Sequence, residues 1–172
     1  MALDFGAMDL RDALDLAILM EEEARERYAG FSRLVGGRYP GDADATFAAM
    51  AGFEAKHGEQ LRARRRALFH DAPARVRAED LDDAEAPDRG APRGFMSPSD
   101  AVAVAIAAEE KAFRFFDEAL PHVRDPEVRA LFAELREEEV DHRRLLLERA
   151  GRLPPGPDLA EEEADPPGSD PG

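Results

Sequence analysis

Two Glu-x-x-His quartets, "EAKH" at 54–57 and "EVDH" at 139–142, lie within stretches whose apolar residues recur every three or four positions. Around the first, the stripe reads Phe47, Met50, Glu54, His57, Leu61; around the second, Val128, Phe132, Leu135, Glu139, His142, Leu146. Two further stretches of the same period place one glutamate each in the stripe: Leu14, Ala17, Glu21, Ala24, Tyr28, Phe31, Val35, and Val102, Ala105, Glu109, Ala112, Phe116. Residues three and four apart share a helix face, so each helix carries ionisable groups on the face it must bury. Only a fold that compensates those groups is admissible, because an uncompensated buried carboxylate is expensive to desolvate.

The stretches are related in pairs. "FAAMAGFEAKHGEQL" (47–61) and "FAELREEEVDHRRLL" (132–146) share Phe-Ala, then Glu seven after the Phe, His three after the Glu and Leu four after the His, at an offset of 85 residues. "EEEARERYAGF" (21–31) and "EEKAFRFFDEA" (109–119) share Glu, Ala three on and an aromatic seven on, at an offset of 88. The chain reads as a duplicated helical hairpin.

Breakers separate the four stretches. Asp9 is placed to cap a first helix that stops at Gly36 and Gly37, and a second starts near Asp42 or Asp44 and runs to about His70. Ser97-Pro98 and Asp125-Pro126 are start signals for the third, reaching about His122, and the fourth, ending at Gly151. No segment alternates apolar and polar residues over strand length. The predicted class is therefore all-α: an antiparallel four-helix bundle of two hairpins joined by a long crossover over 71–96. Residues 1–153 are expected to form the bundle, and "PPGPDLAEEEADPPGSDPG" (154–172) an acidic, disordered tail with almost nothing to bury.

The 172 residues carry 38 acidic against 23 basic side chains, a net charge of −15, which argues against a phosphate-backbone partner and favours cations. The absence of cysteine excludes disulfides, thiolate nucleophiles and cysteine-bound metal within this sequence. No stretch approaches a membrane span and the first residues lack a secretory pattern, so a cytoplasmic location is expected.

Four carboxylates converging in a bundle core repel one another, and two divalent metal ions would offset them. A mixed oxygen and nitrogen donor set of Glu21, Glu54, His57, Glu109, Glu139 and His142 suits iron or manganese. Glu22, Glu23, Glu110, Glu137 and Glu138 are adjacent carboxylates read as a solvated face, with Glu110 an alternative to Glu109; His70 and His122 are read as structural, near helix C-termini.

In these motifs the chain resembles the rubrerythrin branch of the ferritin-like di-iron carboxylate superfamily, over about residues 9–150. Glu21 with Ala24, Arg25 and Tyr28 is similar to that family's first-helix motif, "EAKH" and "EVDH" to its two Glu-x-x-His motifs, and Glu109 to its third-helix glutamate. The resemblance implies that Glu54 and Glu139 bridge two metal ions, that Glu21 and Glu109 are terminal ligands, and that the chain is at least a homodimer. Tyr28, unlike Phe116, can hydrogen-bond a ligand carboxylate, which implies two unequal metal environments.

Departures from the family refine the expectation. Without a cysteine-bound iron, electrons come from an external donor. Ala112 stands where rubrerythrins carry a further glutamate, which counts against their ligand-switching peroxidase behaviour, and Ala55 stands where a bacterioferritin would place its haem methionine, so no haem is expected. The expected function is a non-haem di-iron oxidoreductase that oxidises Fe(II) with O2 or hydrogen peroxide, of ferroxidase or peroxidase type, in iron or oxidative-stress homeostasis. The alternatives are an iron-binding or storage-partner module without turnover, a di-manganese catalase-like enzyme, and a purely structural bundle.

Overall fold

The computed structural model describes residues 3–35, 43–78, 90 and 96–153. The expected tail, most of the crossover and the turn at Gly36 and Gly37 lie outside the described residues. Within them there are four α-helices and no strand: α1 (Leu10–Val35), α2 (Ala43–Phe69), α3 (Pro98–Ala119) and α4 (Pro126–Ala150).

Local chemistry explains the ends. Asp9 Oδ1 accepts from the N–H groups of Arg11 and Asp12, both at 3.0 Å, and so caps α1. Ser97 and Asp100 form a reciprocal capping box at the start of α3, and Asp125 accepts from Glu127 at 2.8 Å and Val128 at 3.3 Å ahead of α4. Pro98 and Pro126 sit at first helical positions, where a missing N–H is harmless. α3 ends at Ala119, before the predicted His122, because Pro121 has no N–H with which to continue the ladder. α2 closes on His70, whose φ of 52° is left-handed and whose N–H reaches the Arg66 carbonyl at 2.9 Å.

α1 pairs with α2, and α3 with α4, as antiparallel hairpins. Asp15 faces Arg65 at one end of the first pair and Phe31 stacks edge-on to Phe47, 5.4 Å away, at the other. In the second pair Asp117 meets Arg136 at 2.8 Å and Glu109 meets His142 at 2.8 Å. The hairpins join through Tyr28 with Glu109, His57 with His142 and Arg64 with Glu134.

The predicted stripes form the interior. All of their residues are buried except Val35 and His57, which are half-buried. The apolar core is divided into two clusters. One contains Leu14, Met20, Leu61, Phe116, Phe132 and Leu135; the other contains Tyr28, Phe47, Met50, Val102, Ala108 and Leu146. On every helix the stripe's ionisable residues fall between its contributions to the two clusters, so Glu21, Glu54, Glu109, Glu139 and His142 make a buried polar layer across the middle of the bundle.

The basic run at 62–66 braces this scaffold. Arg62 pairs with Glu22 at 3.4 Å, Arg64 with Glu134 at 3.1 Å, and Arg65 with buried Asp15. Asp15 also accepts the Arg75 N–H at 3.0 Å, and Arg65 donates to the Ala72 carbonyl at 2.9 Å, which fastens the start of the crossover to α1 and lets Val76 enter the core. A buried charge is tolerable here because its oxygens are matched by donors.

Candidate metal centre

Both Glu-x-x-His quartets project into the polar layer because their positions three apart lie on one helical face. Two groups of donor atoms result, each with all atoms within 4.8 Å of one another: Glu21, Glu54 and His57, and Glu54, Glu109 and His142. Glu54 belongs to both. It is 1% exposed, and neither of its carboxylate oxygens receives a hydrogen bond. Nearly all buried polar atoms in proteins are satisfied, so two bare oxygens on one fully buried carboxylate mark a position suited to a cation.

The second group is the tighter. His142 Nδ1 lies 2.8 Å from Glu109 Oε2, 3.8 Å from Glu139 Oε2 and 4.0 Å from Glu54 Oε1. The Tyr28 hydroxyl donates to Glu109 Oε1 at 2.7 Å, which fixes the plane of that carboxylate. In the first group His57 Nδ1 is 4.0 Å from Glu21 Oε1, and its side chain is 15% exposed against 5% for His142. The two imidazoles stack with centroids 5.0 Å apart, and Phe53 lies 5.5 Å from His142. Phe116, the repeat counterpart of Tyr28, packs on Phe132 and Phe115 in the apolar cluster.

Electrostatics follow from this crowding. Burial, and then the charges of Glu109 and Glu21, push the Glu54 carboxyl well above the ordinary carboxylate range. Burial lowers His57, helped by the neighbouring cationic form of His142 and by Lys56. An interior that raises an acid and lowers a base in the same layer disfavours its own charges until a cation enters. The donor set, carboxylate oxygen with imidazole nitrogen and no sulfur, fits iron or manganese.

Among the neighbouring carboxylates, Glu22 and Glu137 are exposed, and Glu23 and Glu110 are half-buried. Glu109, not Glu110, occupies the buried layer. His70 and His122 are exposed. Glu138 departs from the solvated face expected of it: it is half-buried, with Oε2 3.6 Å from His57 Nδ1. It stands three residues after Leu135 and four before His142, which puts it on the border of the stripe, and that spacing was the available signal. Burial, then the nearby Glu134 charge, raise its carboxyl. A cavity of about 70 Å³ lies beside His57, lined by Gln60, Arg64, Glu134 and Glu138.

A four-helix bundle with carboxylates and imidazoles gathered across its middle defines a ferritin-like protein. A family model described as Rubrerythrin matches residues 12–149, with a further match over 100–166, and the chain belongs to the rubrerythrin family. Membership suggests a di-iron carboxylate protein. An uncharacterised conserved protein from Magnetospirillum magnetotacticum is 28% identical, with a TM-score of 0.66 over 86% of this chain and 97% of that one. A hypothetical protein from Pyrococcus furiosus is 22% identical, with a TM-score of 0.55 over 87% of this chain and 95% of that one. A dodecameric thioferritin, the bacterioferritin-related protein from Bacteroides fragilis, is 18% identical, with a TM-score of 0.56 over 90% of this chain and 88% of that one. The last two likenesses show the fold. No curated protein matches the sequence. Among the described residues no helix is long and apolar enough to cross a membrane.

Proposed function

We propose that the protein is a non-haem di-iron protein that takes Fe(II) as substrate and oxidises it with O2 or hydrogen peroxide. The observation that carries this reading is Glu54: fully buried, bare at both oxygens and common to both donor groups. Glu21, Glu54, His57, Glu109, Glu139 and His142 are the residues that would hold the metal, with the bridging roles of Glu54 and Glu139 and the terminal roles of Glu21 and Glu109 proposed from the family resemblance alone. A bound pair of such ions would supply one-electron redox centres and Lewis acidity.

The chain's own residues prepare the site for that chemistry. Burial and the neighbouring carboxylates favour the uncharged form of Glu54 in the empty site, and a bound cation would favour loss of that proton, which would couple loading to pH. Tyr28 orients Glu109, so that this carboxylate keeps one oxygen engaged and turns the other toward His142. The two apolar clusters exclude water above and below the layer, which strengthens every interaction within it. In Fe(II) oxidation the substrate iron itself gives up the electrons that O2 or peroxide accepts; an external electron donor belongs to the peroxidase-type variant of the proposal, where it would re-reduce resident iron after each turnover. A homodimer in the cytoplasm is part of the same proposal.

The test is anaerobic titration of the stripped protein with Fe(II), followed by exposure to air or to peroxide while ferric absorbance is recorded. Saturation at two irons per chain with rapid oxidation is the expected outcome, and Glu54→Ala abolishes both. Stoichiometric binding without oxidation of excess iron would identify a storage partner instead. Unchanged oxidation in Glu54→Ala would sink the reading.

A further inference from the structure

Between α2 and α4, beside the polar layer, lies a cavity of about 500 Å³. Its walls are largely apolar, including Met50, Phe53, Leu145 and Leu153, and His142 forms part of its lining. That volume is typical of small-molecule sites, which combine apolar walls with a few polar groups that orient the ligand.

Three polar residues in the lining lack partners. Thr46 is buried, and its hydroxyl makes no hydrogen bond. Arg149 Nε is buried with no acceptor. Neither Arg149 nor Arg152 has an ion pair among the described residues, although Glu148 lies on the same wall. Glu148 is engaged by Arg144 at 3.2 Å. Several other arginines also lack a carboxylate among the described residues, but Arg149 and Arg152 are the two that line this apolar cavity, together with the buried, unpartnered Thr46 hydroxyl, and that combination suits an anionic head group with an apolar chain.

We infer that this cavity binds a small amphipathic carboxylate. The apolar chain lies along Met50, Phe53 and Leu145, and the carboxylate is held by Arg149 and Arg152 through charge-assisted hydrogen bonds. The Thr46 hydroxyl offers a further hydrogen bond to a ligand oxygen. A bound chain lies against the imidazole of His142, but recognition depends on the cavity and its arginines alone, so this inference stands apart from the di-iron reading.

The experiment is calorimetric titration of the full-length protein with decanoate below its micellar concentration, with decan-1-ol and decyltrimethylammonium as controls. One-to-one saturable binding of decanoate is expected, with both controls about tenfold weaker or worse. The double variant Arg149→Gln with Arg152→Gln loses about tenfold or more, whereas Arg144→Gln leaves binding unchanged. Ala49→Phe, which fills the cavity from an exposed position in its wall, also weakens binding and serves if the double variant fails to fold. Uptake without saturation, equal affinity for decan-1-ol, or full binding by Ala49→Phe overturns the proposal.

Discussion

Tyr28 shows how one hydroxyl distinguishes two halves of a repeat. It ties α1 to α3 through Glu109, while Phe116 at the matching position only packs. Tyr28→Phe is expected to lower stability by about 1–2 kcal/mol, because a buried bond to a carboxylate is lost while the ring remains. It should leave two irons bound per chain and change the ferric absorption spectrum; an identical spectrum would separate Tyr28 from the centre. Glu54 gives a pH dependence whose sign can be worked out. Its folded-state pKa is raised, so the unfolded chain releases this proton first, near the ordinary glutamate value of about 4.3. Between that value and the folded pKa the native state binds more protons, and stability falls as pH rises. The Glu54 contribution to the stability of metal-free protein should therefore decline as pH rises above about 5, opposed by His57, whose lowered pKa favours the folded state as pH rises, and Glu54→Gln should remove the declining part. Asp9, lowered chiefly by its hydrogen bond to Arg75, acts oppositely, its contribution being lost as pH falls through its folded pKa, below this window. A thermal scan across pH that shows no difference between the wild type and Glu54→Gln would refute the assignment.

Helix starts and buried faces were largely legible in the sequence, because both follow from local rules. Asp9, Ser97 and Asp125 cap as their side-chain chemistry dictates, and a period of 3.6 placed Glu21, Glu54, Glu109, Glu139 and His142 among the buried residues. What periodicity does not specify is the distance between side chains on different helices. Glu138 sits one residue from the stripe, and only the docking of α4 against α2 brings it to His57. The cavity at Arg149 and Arg152 was equally hidden, since its walls come from residues about a hundred positions apart. At this scale α2 also contains an avoidable weakness. Gly52 is exposed in mid-helix, and a Cβ built there meets nothing within 4 Å. Gly52→Ala should raise stability by about 0.5–1 kcal/mol, mainly through the unfolded state, as read from denaturant midpoints at an unchanged slope. A loss of stability would mean that this face is covered in solution.

At the scale of the whole bundle, the described residues form two apolar clusters separated by a layer that resists its own charge, which predicts a strong linkage between cation binding and folding. At a thousandfold excess over Kd a ligand adds roughly 4 kcal/mol, or about 10 °C in Tm for a chain of this size. Chelation should lower Tm by that order while far-ultraviolet circular dichroism remains helical, because each end keeps its own hydrophobic cluster. An unchanged Tm after verified metal removal would favour a purely architectural layer. The two donor groups also differ in where their members come from. Glu21, Glu54 and His57 all belong to α1 and α2, whereas Glu54, Glu109 and His142 span both hairpins. The first group is complete once one hairpin has closed, and the second exists only after the hairpins have docked. Glu54 belongs to both groups, so a cation held by the first hairpin would also fix the carboxylate on which the second group is built.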